Sequence, residues 1–210
     1  MAAAKKTRSA KKSDKRSTRD RLIDAALELA AETPWQRLSL PEIASHAGVT
    51  TGDALMTLPG RMPVLKALMD RIDAEVMGGL ADDPLDGTTR DQLFDLLMRR
   101  FDALAAHRAG MASITRALRS DPLSAACLGG RLLRSMTLCL QAAGVPAEGL
   151  KGAIKAKALA AIHLNTVRVW LRDDDPGLAQ TMKTLDKGLM QAEKVMSRSG
   201  PASTVDEKTA

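Results

Sequence analysis

The sequence predicts an all-α protein in which a small three-helix head precedes a larger helical domain. Two observations set the class. Apolar residues recur at helical spacing almost throughout the span between the first and last fifteen or so residues. The composition is 45% hydrophobic but only 2% aromatic, with no Tyr, two Phe and two Trp against 11 Met. Sandwiches and barrels draw on aromatic and β-branched residues, so this is the inventory of an aliphatic helical core. A third observation sets the head: a tight glycine turn separates the second and third of three short helices.

Each element has its own signals. The first helix is expected over Ser17 to Glu32, with Ser17 as N-cap, Asp20 three residues on, and Leu22, Ile23, Ala26, Leu27 and Ala30 on one face. Thr33-Pro34 stops it. A second opens at Ser39, whose hydroxyl caps while Glu42 reaches back; Ile43, Ala44 and Ala47 point inward and Gly48 turns the chain. A third opens at Thr50 with Asp53 at the capping-box position and carries Ala54, Leu55 and Leu58 before Pro59-Gly60. Together these form a helix-turn-helix signal. A helix from about Met62 to Leu80 leads away, and Asp82 to Thr88 is a turn-rich link. The next helix turns Leu93, Phe94, Leu97, Phe101 and Leu104 inward and breaks near His107 to Gly110; shorter pieces follow around Met111 to Leu118 and Leu123 to Ala143. The last two helices are expected over Pro146 to Arg172 and Pro176 to Arg198. In the final one Leu178, Met182, Leu185, Leu189, Ala192 and Met196 form a heptad-like seam, which must face another helix in the same subunit or in a second one.

Charge is unevenly divided. The net +6 comes from the start of the chain: residues 1–21 hold nine Lys or Arg against two Asp, a net of +7, leaving the other 189 residues at −1. A cationic arm suits phosphates of nucleic acid or of anionic lipid, although a solubilising tail has the same composition. Residues 1–16 and 198–210 are small, polar and aperiodic and read as disordered. Cys127 and Cys139 lack CxxC spacing and read as buried free thiols of a cytoplasmic protein. The opening residues have no apolar signal core, and no stretch of 18 uninterrupted apolar residues suggests a membrane span. No Ser/His/Asp arrangement, phosphate loop or carboxylate pair stands out, so no enzyme is expected. His46, His107 and His163 have no second ligand at metal spacing, and neither metal nor cofactor is expected.

Residues Thr18 to Ile72, TRDRLIDAALELAAETPWQRLSLPEIASHAGVTTGDALMTLPGRMPVLKALMDRI, resemble the N-terminal domain of TetR-family regulators. The matching features are the arginine-rich opening, the Ala-Ala-Leu first helix, the Ser-x-x-Glu-Ile-Ala second helix and the Ala-Gly-Val-Thr turn. The resemblance implies a TetR-like all-α fold whose head reads operator DNA, a larger domain for a small apolar ligand, and a homodimer built on the last two helices. The implied division is a basic arm at 1–16, a DNA-binding domain at 17–62, a ligand-binding and dimerisation domain at 63–197, and a tail at 198–210. The third helix is then expected to offer Thr50, Thr51, Gly52, Asp53, Met56 and Thr57 to the major groove of double-stranded DNA, with Arg19, Ser39 and Arg61 nearby for the backbone. The family commonly has a Tyr that bonds phosphate and a Phe plug at the end of that helix, then a Lys. Leu55, Leu58 and Arg61 hold those places here. Leu58 can plug and Arg61 can supply the charge, but Leu55 cannot bond a phosphate.

Residues Lys155 to Val195, with the Asp-x-x-Pro-x-Leu-x-x-Thr-x-x-x-Leu-Asp pattern at Asp173 to Asp186, are similar to the TetR-fold lipid-binding accessory protein of ubiquinone biosynthesis. That similarity implies an alternative, a lipid chaperone that does not bind DNA. Phe101, Met136, His163, Asn165 and Arg168 are the candidate ligand contacts. His163, Asn165, Thr166 and Arg168 share an otherwise apolar helix, where a buried polar group needs a partner in a ligand or across a subunit interface. Asp173 to Asp175 read as helix capping, Trp170 as a hydrophobic anchor, and Arg99-Arg100 and Arg116-Arg119 as solvated faces.

Overall fold

A computed structural model describes residues 17–198, and the expected tails lie outside them except for Arg198, which ends the last helix. The described chain forms α1 (Thr18–Glu32), α2 (Leu40–His46), α3 (Thr51–Thr57), α4 (Arg61–Gly79), α5 (Thr89–Leu104), α6 (Arg108–Arg119), α7 (Pro122–Ala142), α8 (Gly149–Trp170) and α9 (Ala179–Arg198). Short 3-10 turns occupy Trp35–Arg37 and Ala105–His107, and no strand forms among the described residues. The class and the order of helices follow the sequence expectation.

The capping signals operate as read. Ser17 Oγ accepts from the Asp20 amide at 3.1 Å. Ser39 and Glu42 close a reciprocal capping box, and the Ser39 hydroxyl holds the Glu42 carboxyl below its ordinary range. Thr50 Oγ1 accepts from the Asp53 amide at 3.0 Å. Three boundaries differ, the first being that α8 starts at Gly149, itself at φ 65°, and not at Pro146. Pro176 does not open α9: the Asp175 carboxylate accepts from the Gly177 and Ala179 amides, and Leu178 takes the left-handed region at φ 53°, so helix begins at Ala179. The expected break before Met111 is a single 3-10 turn, from which α6 starts at Arg108.

The head packs α1 against α2, α3 and α4, and α6 lies along α1. Gly110 of α6 sits directly on the α1 backbone; a Cβ there would come within 2.3 Å of the Leu27 carbonyl oxygen. Further ties join head to body. The Trp35 amide donates to Ser113 Oγ at 3.1 Å, Arg71 pairs with Asp24 at 2.6 Å and Arg19 with Asp70 at 3.0 Å. Asp70 also pairs with Arg131 of α7. One buried cluster runs from Leu22 in α1 through α4, α5 and α7 to Leu189 in α9, and α4 is unbroken across residues 62 and 63, where the head was expected to end.

The α9 seam is partly internal. Leu185 and Leu189 are buried and Gly188 lies against Ile162 of α8, whereas Met182 is exposed. Cys139 is buried, and burial pushes its thiol up to about 11. Cys127 corrects the expectation: it is exposed, on the outward face of the first half of α7. Gly130 shares that face with no atom near enough to meet a Cβ. Because helix-interior glycine costs about 0.5–1 kcal/mol relative to alanine, Gly130→Ala should raise the thermal midpoint by roughly 2 °C. Thermal denaturation followed by circular dichroism checks this, and a fall would mean that α7 meets something else in solution.

Candidate functional site

The helix-turn-helix is built on α2 and α3. Between them Gly48 adopts φ 65°, a conformation that favours glycine. Arg21 of α1 reaches across: its Nε and Nη2 donate to the Ala47 carbonyl at 3.1 and 2.8 Å and Nη2 to the Gly48 carbonyl at 2.7 Å. A guanidinium there satisfies the terminal carbonyls of α2 and complements its negative end. Arg21 therefore staples the turn and is not available as part of a cationic arm.

α3 is anchored by Ala54 and Leu58, both buried, so Leu58 does act as the plug. Thr51, Gly52, Asp53, Leu55, Met56 and Thr57 all face solvent. Leu55 is 52% and Met56 88% exposed, although Leu55 is apolar and neighbours the buried Ala54. The expected DNA contacts Thr50, Thr51, Gly52, Met56 and Thr57 thus share one short exposed helix. Ser39 is exposed at the start of α2, with its hydroxyl donating to Glu42 at 2.6 Å. Arg19 is turned to Asp70 of α4. Arg61 lies elsewhere: Nη1 donates to the Trp35 carbonyl at 2.7 Å, in a small recess with Gln36, Met62, Leu118 and Asp121 at the seam of head and body.

The five expected ligand contacts are not brought together. Phe101, Met136 and His163 are buried, whereas Asn165 and Arg168 face outward from α8. The His163 ring stacks on Phe101 with centroids 5.3 Å apart, and Phe101 meets Trp170 at 5.5 Å. Thr166 returns its hydroxyl to the Ile162 carbonyl at 2.9 Å. The structure adds a group that the sequence pattern alone does not single out. Arg100, expected on a solvated face, is buried on α5 and donates through Nη1 to Asp73 of α4, whose other oxygen accepts from Ser135 Oγ of α7 at 2.7 Å. A signal is nonetheless present: Arg100 lies three residues after Leu97 and four before Leu104, and Asp73 follows Ile72 and precedes Val76. Arg100 Nε and His163 Nδ1 are buried without a hydrogen-bond partner.

Burial, reinforced by the Arg100 charge, pushes His163 down to about 3. The ring is neutral when folded but binds a proton in the unfolded chain below its ordinary 6.5. Stability should therefore be fully present above pH 6.5 and be lost as pH falls toward 3, with a slope approaching 1.4 kcal/mol per pH unit. Urea denaturation at pH 7, 6 and 5 checks this: His163→Gln should flatten the profile, and an unchanged profile would assign the loss to other groups.

Asp173 and Asp175 are accounted for by capping, whereas Asp174 is exposed and lies 3.9 Å from Arg108. Asp173 Oδ2 accepts from the Thr181 amide at 2.8 Å and hydroxyl at 2.7 Å, which holds its carboxyl below the ordinary range, and Arg108 donates to the Asp173 carbonyl at 2.5 Å. The aspartate and threonine of the C-terminal sequence pattern are thus a helix-start device. Among the described residues, no group of His, Cys, Asp and Glu could hold a metal, and no helix is long and apolar enough to cross a membrane.

Known proteins share this geometry. The architecture is the TetR-like all-α fold. It resembles a TetR transcriptional regulator from Nitrosomonas europaea, with a TM-score of 0.70 and 23% identity over 85% of this chain and 99% of that one. A TetR regulator from a Rhodococcus species gives 0.61 and 20%, covering 83% and 94%, and one from Streptomyces coelicolor gives 0.57 and 18%, covering 87% and 84%. More particularly, residues 22–53, from α1 into the first turn of α3, match the family model described as bacterial regulatory proteins, tetR family. Curated proteins give no match, and the similarity of the C-terminal helices to the ubiquinone accessory protein gains no support.

Proposed function

We propose that the chain is a TetR-type transcriptional regulator that binds operator DNA as a dimer through Thr50 to Thr57 and responds to a small ligand. The observation that carries this reading is α3 itself, a short helix pinned by Ala54 and Leu58 that turns six residues outward beside the glycine turn. The family match over residues 22–53 supports it. Dimerisation is supported by the outward face of α8, where Leu150, Ile154 and Leu164 are exposed, and by Met182 on α9. The ligand domain begins after the head, along α4, and the ligand is taken among α4, α5, α7 and α8, near Phe101, Met136 and His163. Arg100 Nε and His163 Nδ1, buried and unpaired, favour a ligand that adds a polar group to an apolar body. By binding one of two dimer geometries better than the other, it shifts the spacing of the heads.

The test is selection of random duplex DNA by the full chain, followed by binding at several salt concentrations. A near-palindromic sequence should be enriched. Removing residues 1–16, which carry seven Lys or Arg, should lower the salt slope, by about 0.9 for each phosphate that the arm had neutralised. Sequence-blind binding with no enriched site would overturn the regulator reading.

A further inference from the structure

We propose that α3 reads its operator chiefly through the C5-methyl groups of thymine, with Leu55 and Met56 as the specificity-determining contacts; this rests on the regulator reading above. The starting point is what α3 lacks. Residues 50–58, TTGDALMTL, contain no Arg, Lys, Asn or Gln, the side chains that grip guanine or adenine edges with paired hydrogen bonds.

The hydroxyls are largely committed within the head. Thr50 Oγ1 accepts from the Asp53 amide and donates to Asp53 Oδ2 at 2.7 Å. Thr57 Oγ1 donates to the Asp53 carbonyl at 2.7 Å. Thr51 carries the remaining hydroxyl. The Asp53 carboxylate is an acceptor only and is engaged by Thr50, so its charge is directed along the first turn of the helix. What α3 presents in quantity is apolar surface, from Met56 at 88% and Leu55 at 52% exposure. In the major groove the apolar feature that distinguishes one base pair from another is the thymine methyl.

Gly52 is an independent observation. Glycine inside a helix is destabilising relative to alanine, and nothing in the fold requires it here: its φ is not in the left-handed region, and an added Cβ would meet only Thr50 Oγ1 at 3.8 Å. One turn before Leu55 and Met56 on the exposed side of α3, the missing side chain leaves room for the helix backbone to approach base edges closely. Close approach is what short apolar contacts to a methyl group need, since dispersion falls off within about an ångström of optimal separation.

The experiment uses the full chain and the duplex enriched by selection. Each thymine in turn is replaced by deoxyuridine, which removes the methyl and leaves every hydrogen-bonding edge in place. At one or more thymines in each half-site, affinity should fall by about fourfold, the factor that burial of one methyl group is worth. Met56→Ala and Leu55→Ala should each abolish the sensitivity at a particular thymine while leaving the salt slope unchanged. Since both side chains face solvent, their melting temperatures should match that of the parent. Gly52→Ala should weaken binding to the selected duplex without loss of thermal stability. If a site is enriched but deoxyuridine is tolerated everywhere, or if both alanine variants retain full sensitivity, the methyl readout is overturned and the regulator reading stands. If no site is enriched, both fall.

Discussion

Replacing Asp73 with asparagine is expected to destabilise the chain by about 3–5 kcal/mol, because it leaves the buried Arg100 guanidinium without a counterion. The substitution is nearly isosteric, so cavity formation contributes little and the loss reports charge. Arg100 cannot swing to water: it is 3% exposed, and its Nε already lacks a partner. Asp73 ties three helices, since it takes Arg100 from α5 and Ser135 from α7 while belonging to α4. The thermal midpoint should fall by roughly 10 °C for a chain of this length. Converting the pair together, Asp73→Leu with Arg100→Met, should recover most of the loss, since an ion pair exchanged for apolar residues is often neutral or better. Equilibrium urea unfolding at fixed protein concentration decides the matter. A single-variant loss below about 1 kcal/mol would mean that water reaches the pair.

Gly110→Ala is the second large effect. An added methyl at 2.3 Å from the Leu27 carbonyl oxygen collides with backbone, which no rotamer change relieves, so α6 and α1 must separate. Alanine would otherwise gain up to about 1 kcal/mol of helix propensity, and against that the expected net loss is about 2–4 kcal/mol. The loss should be localised. Amides in α1 and the Trp35 to Ser113 tie should exchange faster, while those of α9 and of the first half of α8, away from the contact of Arg108 with Trp170, should not. Hydrogen exchange followed by mass spectrometry reads this directly. Uniform acceleration over the whole chain would show that head and body open as one unit.

The helices are legible in the sequence because their signals are local. Ser17, Ser39 and Thr50 each cap from their own side chain, and Ala54 and Leu58 recur at helical spacing. The features that escape a sequence reading depend on partners distant along the chain. Arg100 looks like a surface arginine until Asp73 and Ser135 close around it, although its place between Leu97 and Leu104 marks an inward face. Arg21 and Arg61 count as cations in a tally of charge, yet they are spent on the Ala47, Gly48 and Trp35 carbonyls. Asn165 and Arg168 lie near His163 along the chain, but helical rotation carries them to the opposite side of α8. Leu55 is apolar yet faces outward, because a seven-residue helix anchored at Ala54 and Leu58 has no second buried face to receive it.

The Asp73 contact also has a mechanical meaning. Asp73 lies twelve residues along α4 from Arg61, a lever arm of about 18 Å at 1.5 Å per residue. Pivoting α4 about that clamp by about 10° would carry its head end through roughly 3 Å, close to the 3.4 Å step between successive bases along a strand. On the regulator reading proposed above, a rotation of that size about Asp73 would move the head by about one base step.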